Sequence, residues 1–319
     1  MKIQKFKFGE RLRIKKLLSG ILSFDLLTKG GIPIGKVSLF YGGPSSGKTT
    51  LSLKLLGRFL EEYPEAQGLI VDFENSLSQE WGDKFLGSTS DRVDVVVPAF
   101  AEEGLAFLQE VLKAGSYQFI VIDSLANVVS MQEADADAEQ EFLGFSARTI
   151  NKLLRRIFPL IVESERKGLP VTLILINQVR ASIQRGPSYV NTFSLPGGKF
   201  QEFLASLIVR TYQKKVEEKD DLPFIGNFSF VVEKNKSGGL PKVVGEFTIN
   251  LMTGEVLNDS LFISLAKDYG LLEQEKGKWR FLGEVYSTQR EIKERLKDME
   301  FYKQVLEAIS GRFYERVKV

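Results

Sequence analysis

The hydrophobic positions of this chain fall into short, near-continuous runs. "KVSLFYG" (36–42), "GLIVDF" (68–73), "VDVVVPA" (93–99), "FIVIDS" (119–124) and "VTLILINQ" (171–178) are rich in Val, Ile and Leu. Amphipathic helical stretches lie between several of them, including Thr49 to Glu62 and Glu103 to Lys113. Apolar strands without a polar face, alternating with helices, predict an α/β fold with a buried, mostly parallel central sheet and helices on both sides. Three later runs, "LASLIVRTYQ" (204–213), "FIGNFSFVVEKNK" (224–236) and "GEFTINL" (245–251), have no helices between them. They are expected to extend the sheet as antiparallel strands. From about Asp259 the pattern changes to a helix, a Gly turn, a "KWRFLG" strand and a charged last helix, which predicts a small α+β C-terminal domain. The expected division is a basic arm over 1–17, a core over 18–257 and the C-terminal domain over 258–319.

One stretch follows neither period. From Arg180 to Gly198 the chain mixes Arg, Ser, Gly, Pro and Asn directly after a core strand. Loops of this length inside compact domains are usually functional or disordered.

Composition narrows the chemistry. With 43% hydrophobic and 26% charged residues the chain has an ordinary globular make-up. No apolar run reaches the roughly 18 residues of a membrane span, and the N-terminus has no signal-peptide core, so a cytoplasmic protein is expected. There are no cysteines and no histidines. Disulfides and thiolate metal sites are thereby excluded, any general base is a carboxylate or a lysine, and any metal is a hard ion on oxygen ligands. The formal charge is only +2, so nucleic acid would have to bind a local patch. Charge is uneven: the first sixteen residues carry seven Lys or Arg against one Glu, and "EADADAEQE" (133–141) places an acid at every second position.

The segment "GGPSSGKTT" comprises Gly42, Gly43, Pro44, Ser45, Ser46, Gly47, Lys48, Thr49 and Thr50. It contains G-x-x-x-x-G-K-T between a predicted strand and a predicted helix, the context a phosphate loop requires. Backbone N–H groups would surround phosphate oxygens, Lys48 would neutralise the outer phosphates, and the Thr49 hydroxyl would coordinate Mg²⁺. Asp123, ending an apolar strand, places a carboxylate at the sheet edge where ligands bind, as the second Mg²⁺ holder, through water. Hydrolysis also needs a group to activate water. Glu74, after "LIVDF", is the candidate, expected one strand over from the phosphate loop, with Asp72 as its competitor.

With these motifs in view, "LLSGILSFDLLTKGGIPIGKVSLFYGGPSSGKTTLSLKL", "VDFENSLSQEW", "VIDSLANV", "GFSARTINKLLRRI", "LILINQVR", "PGGKF" and "VVEKNKSGGLP" resemble, in order and spacing, segments of bacterial RecA-type recombinases. The likeness covers about Leu17 to Leu251. It implies a RecA-like P-loop ATPase core, and it assigns roles by position. Glu74 matches the catalytic glutamate, and Trp81 the aromatic that stacks on adenine. Ser78 stands where the family has an Asp that contacts the base. Gln178 matches the glutamine that senses the γ-phosphate. Lys234 and Lys236 match two lysines that reach the ATP of a neighbouring subunit, a counterpart of an arginine finger in trans.

The resemblance also gives the 180–198 loop a purpose. A segment starting two residues after a γ-phosphate sensor is placed to be ordered by ATP. Arg180, Arg185, Gly197, Gly198 and Lys199 are candidates for DNA backbone contact, and Ile183 or Tyr189 for a wedge between bases. In "GFSARTINKLLRRI" the spacing puts Arg148, Lys152 and Arg155 on one helix face, opposite Ile150, Leu153, Leu154 and Ile157. Arg148, Asn151 and Arg155 coincide with family DNA contacts. The acidic run falls in the family's first DNA loop. The family's long N-terminal helix and acidic tail have no counterpart, which suggests a phage-encoded or divergent relative. Phe6 and Phe8, alternating with lysines, are expected to act as a short subunit-contact strand.

Together these imply an ATP- and Mg²⁺-dependent recombinase that forms a helical filament on single-stranded DNA and pairs it with duplex. Single-strand-binding and loader proteins are its further implied partners. A RecA-fold ring helicase or translocase, and an ATP-binding recombination regulator, are the alternatives sharing this core.

Overall fold

Leu39 and Phe40 are adjacent in sequence and both fully buried, yet they belong to different hydrophobic clusters. The same split separates Leu69 from Ile70, Ile120 from Val121 and Leu173 from Ile174. Successive strand residues point to opposite faces, so a sheet buried on both sides needs apolar residues at every position. This is the origin of the continuous runs in the sequence.

The computed structural model describes residues 14–134, 145–182, 192–219 and 222–317. Phe6, Phe8, the acidic run from 135 onward, Ile183, Arg185 and Tyr189 lie outside the described residues. In chain order the elements are β1 (Lys16–Leu17), α1 (Leu22–Thr28), β2 (Ile32–Pro33), β3 (Val37–Gly42), α2 (Lys48–Glu62), β4 (Gly68–Asp72), α3 (Gln79–Leu86), β5 (Val93–Val96) and α4 (Ala101–Ala114). There follow β6 (Phe119–Asp123), α5 (Met131–Ala134), α6 (Phe145–Arg166), β7 (Thr172–Gln178), β8 (Arg180–Ser182), β9 (Thr192–Ser194), α7 (Phe200–Leu204), β10 (Leu207–Lys219), β11 (Leu222–Asn235) and β12 (Val243–Asn250). The C-terminal elements are α8 (Asp259–Asp268), β13 (Leu272–Glu275), β14 (Lys278–Phe281), β15 (Glu284–Tyr286), α9 (Gln289–Arg295) and α10 (Met299–Val317).

The main sheet has eight strands in the order β12-β11-β10-β3-β7-β6-β4-β5. Helix α2 packs on one face through Leu51, Leu55 and Phe59, and α4 and α6 cover the other through Leu108, Ile150, Leu153 and Ile157. The α/β architecture with helices on both sides is therefore as the sequence predicts. Three details differ. β10 is parallel to β3, not antiparallel; only β11 runs against the rest of the sheet, and β12, antiparallel to β11, returns to the common direction. The segment from β8 through α7 supplies the crossover that parallel pairing needs, although among its described residues the helix, α7, has only five residues. β5 is an edge strand rather than a buried one, with Val95 and, just past its end, Val97 about half exposed, at 48% and 53%. β8 and β9 pair as a short antiparallel ladder, Arg180 opposite Ser194, inside the stretch read as structureless. Strands of three residues are too short to display an alternation.

The C-terminal elements form a three-stranded antiparallel sheet (β13-β14-β15) packed with α8, α9 and α10. Leu22 and Leu26 of α1 belong to the same cluster. Below them Asp25, fully buried, accepts hydrogen bonds from the Ser19 N–H and hydroxyl, the Gly20 N–H and the Tyr302 hydroxyl, the last at 2.7 Å. Burial, only partly offset by these donors, pushes the Asp25 carboxyl up to about 6. Among the described residues no helix is long and apolar enough to cross a membrane.

Candidate functional site

The phosphate loop connects β3 to α2 at the C-terminal edge of the sheet. Its tightness comes from glycine. Gly47 has φ +85°, and a Cβ there would stand 2.9 Å from the Phe228 ring, so both conformation and space exclude a side chain. Ser46 and Thr211 hydroxyls meet at 2.8 Å and tie the loop to β10. Pro44 and Ser45 are exposed, Gly43 half-buried, and Gly42 and Thr50 buried.

Lys48 turns its ammonium back over the loop to the Gly43 carbonyl at 2.7 Å. Burial pushes its pKa down, with Asp123 and Glu74 pulling the other way. The Thr49 hydroxyl donates to the Asp123 carboxylate at 2.6 Å. Asp123 is 5% exposed, and burial pushes its carboxyl up to about 6, the Thr49 bond opposing, Glu74 and Asp72 adding to the rise and Lys48 opposing again. A buried ammonium and a buried carboxylate, each disfavoured in its charged form, stand on either side of the loop. Phosphate oxygens would satisfy the first. A hydroxyl and a carboxylate oxygen this close are a hard-oxygen pair suited to Mg²⁺.

Glu74 arrives from farther away than its sequence position suggests. Both β7 and β6 lie between β3 and β4, so Glu74 is three strands from the phosphate loop, not one. The chain after β4 folds back toward β6, with the N–H groups of Phe73 and Glu74 donating to the Asp123 carbonyl at 2.6 and 3.3 Å. Asp72 is occupied elsewhere. Its carboxylate, 3% exposed, accepts the backbone N–H groups of Glu74, Ser76 and Leu77 at 3.0–3.1 Å. That leaves Glu74 as the carboxylate free to face the cleft. The Gln178 amide, at the end of β7, donates to Glu74 Oε2 at 2.9 Å.

A cavity of about 260 Å³ beside the loop is walled by Trp81, Gln213, Val216, Phe228 and Leu251. Trp81 stands edge-on to Phe85, with the Lys84 ammonium 5.3 Å from its ring centre. Ser78 caps α3, its hydroxyl accepting the Trp81 N–H at 3.2 Å. Phe228, Val216 and Leu251 escaped the sequence reading, since nothing local marks a residue of a distant strand as a cavity wall.

From the nucleotide edge, two sets of contacts lead to the 180–198 segment. The Val179 N–H donates to the Gly42 carbonyl at 3.2 Å, joining the start of that segment to the start of the phosphate loop. Asn177, fully buried, donates to the Pro196 carbonyl and to Gln201 Oε1, both at 2.8 Å, and accepts the Gln178 N–H. Gln201, also fully buried, donates to the carbonyls of Pro196 and Gly198. Asn177 and Gln201 thus hold the return of the segment against the strand that carries Gln178. Their only sequence signal is polarity at the end of an apolar run.

The return also meets α6. Gly197 has φ +90°, and a Cβ there would fall 2.7 Å from Ile150; one on Gly198 would stand 3.5 Å from the Asn151 amide. Gly197 is therefore buried in packing, and only Gly198 and Lys199 of this turn are exposed. On α6, Arg148, Lys152 and Arg155 are exposed while Ile150, Leu153, Leu154 and Ile157 are buried, as the spacing predicts. Arg155 lies over the Phe200 ring at 5.0 Å. Asn151 Oδ1 is buried without a hydrogen-bond partner among the described residues.

Lys234 and Lys236 lie elsewhere. β11 runs antiparallel, so Lys234 sits beside Ile208, which pairs with Leu39, toward the end of β3 opposite the phosphate loop. The Lys236 N–H donates to Ser206, and Ser206 to Val37 at the start of β3. These lysines are placed away from the loop of their own chain.

Residues 2–256 match the RecA N-terminal domain family. The chain belongs to the RecA family. It is 30% identical over 279 residues to the Protein RecA of Bacillus mycoides (strain KBAB4), covering 86% of this chain and 77% of the relative. It is also 30% identical over 274 residues to the chromosomal Protein RecA of Lactococcus lactis subsp. lactis (strain IL1403), covering 84% and 67%. With the Protein RecA of Fusobacterium nucleatum subsp. nucleatum it shares 29% over 235 residues, 72% and 59% of the two chains. The match to the RecA N-terminal domain ends just after β12, whereas the match to the Bacillus mycoides protein, at 86% of this chain, runs on into the C-terminal elements.

Proposed function

We propose that this RecA-family chain is a cytoplasmic, ATP-dependent DNA recombinase, polymerising on single-stranded DNA and exchanging that strand with homologous duplex. The observation that most supports this is the continuous hydrogen-bonded path from Glu74 through Gln178 and Asn177 to the Pro196–Gly198 turn, which rests on the basic helix α6. A nucleotide in the cleft and DNA on α6 would both bear on the same few residues, and that is the physical requirement for coupling.

In this reading the loop N–H groups and Lys48 hold the phosphates. Mg²⁺ would be held by Thr49 and Asp123 and would neutralise charge on the phosphate oxygens. Glu74 orients the attacking water and takes its proton. Gln178 contacts the γ-phosphate and gives up its bond to Glu74 as it does so, moving the segment that begins at Arg180. Lys234 and Lys236 act on the nucleotide of the adjacent subunit, in keeping with their position away from their own loop.

The first test is ATP turnover by the full chain with and without single-stranded DNA; stimulation is expected, and a rate indifferent to DNA contradicts the coupling. Lys234→Ala is expected to lower stimulated turnover by about 10²-fold or more. Its affinity for a fluorescent ATP analogue should stay near wild type, because the lysine serves another subunit; a large loss of binding would place it in its own site. Arg148→Ala should weaken DNA binding and make the slope of log affinity against log salt shallower by about 1, one phosphate contact fewer. Titrations at several salt concentrations read both quantities.

A further inference from the structure

Beyond the phosphate loop itself, the cavity of about 260 Å³ is walled by Trp81, Gln213, Val216, Phe228 and Leu251. Of these side chains only Gln213 carries both a hydrogen-bond donor and an acceptor; the Trp81 indole can only donate. Strand β10 brings Gln213 there. Thr211, level with Gly42 at the end of β3, holds Ser46 of the loop. Side chains alternate along a strand, so Gln213 falls on the same face, about 7 Å farther on. It stands opposite Phe228 in the ladder, and Lys215 pairs with the next residue, Asn227, which leaves Lys214 as an extra residue in β10. An inserted residue shifts the alternation, and Val216, three positions on, therefore shares a wall with Gln213.

A nucleotide with its phosphates on the loop has its base beside the loop, where this cavity lies. The aromatic and aliphatic walls suit the flat faces of a purine. Its edge is polar, and an edge removed from water needs a partner. Ser78 stands where the family has an Asp that contacts the base, yet its hydroxyl caps α3 by accepting the Trp81 N–H, and it is not a wall of the cavity. Gln213 is exposed, and among the described residues its amide makes no hydrogen bond, so both of its halves are open.

We propose that Gln213 determines base specificity, its amide pairing with the 6-amino group of adenine and an adjoining ring nitrogen. Glutamine amides recognise adenine by this two-point contact elsewhere. The assignment rests on the reading of the phosphate loop as an ATP site and adds to it the group that reads the base.

Calorimetric titration of the full chain, with Mg²⁺ and without DNA, tests it. The two ligands are ATP and purine riboside 5′-triphosphate, which has the same rings but no 6-amino group. Wild type should bind ATP about 3- to 10-fold more tightly, the net contribution of a hydrogen bond. Gln213→Met keeps the length of the side chain without its hydrogen-bonding groups, and it should bind the two ligands alike. Gln213→Leu is the second variant, and far-UV circular dichroism establishes that each is folded. Equal binding of the two ligands by wild type, or an undiminished preference for ATP in the variants, overturns the role of Gln213 and leaves the ATP site standing. Binding of neither ligand by wild type overturns the ATP site itself, and the role of Gln213 with it.

Discussion

Glu74→Gln is expected to slow ATP hydrolysis by about 10²- to 10⁴-fold, the range for loss of a general base, equivalent to roughly 3–5 kcal/mol of barrier. ATP affinity should hardly change. The substitution keeps the side chain's shape, and its amide oxygen can still accept the Gln178 N–H now donated at 2.9 Å. Among the described residues the Glu74 side chain makes no hydrogen bond or ion pair to the phosphate loop, whose Lys48 and backbone N–H groups are the proposed phosphate ligands. In the proposed reading hydrolysis is the step that releases DNA, so the variant should bind ATP and DNA and persist on DNA longer than wild type. Single-turnover hydrolysis and nucleotide titration separate the two effects. Mixing Glu74→Gln with Lys234→Ala offers a further check. Each spoils a different half of a shared site, so mixed assemblies should recover turnover that neither variant shows alone. Parallel losses of affinity and rate in Glu74→Gln would instead make Glu74 a binding residue.

Lys48→Ala is expected to abolish ATP-dependent activity altogether. A charge-assisted contact to phosphate contributes about 1.5–3 kcal/mol to binding, or about 10- to 150-fold in affinity. Further loss in the transition state, where the same lysine meets developing charge, takes hydrolysis below detection. Stability should move the other way or not at all. Burial disfavours the Lys48 ammonium, whose one good protein acceptor is the Gly43 carbonyl. Among the described residues Lys48 makes no ion pair, so its removal strands no opposite charge. Nucleotide titration and thermal unfolding of the same sample check both halves; a chain that melts early would mean that Lys48 holds the loop together rather than the ligand.

What could be read in the sequence was what is local. The phosphate loop occupies nine consecutive residues, and each position has its own steric or chemical demand. The basic face of α6 follows from a 3.6-residue period, and the buried strands follow from their unbroken apolar composition. What escaped was set by pairing across the chain. Nothing in 204–213 reveals that β10 pairs parallel to Val37–Gly42. Nothing around Glu74 reveals that two strands separate it from the phosphate loop. Asn177 and Gln201 pin the Pro196–Gly198 turn through a bond spanning 24 residues, and each alone resembles any polar residue at the end of an element. Leu22 and Leu26 of α1 enter the core of the C-terminal elements, a partner about 240 residues away that no local pattern announces.

The most direct measurement is fluorescence-detected strand exchange between a labelled duplex and single strands of homologous or scrambled sequence, with and without ATP. Exchange that requires both ATP and homology is the predicted result. Displacement that ignores homology would make the chain a helicase or translocase. Hydrolysis without any displacement, even with single-strand-binding and loader proteins supplied, would make it a regulator, and either outcome would contradict the recombinase assignment.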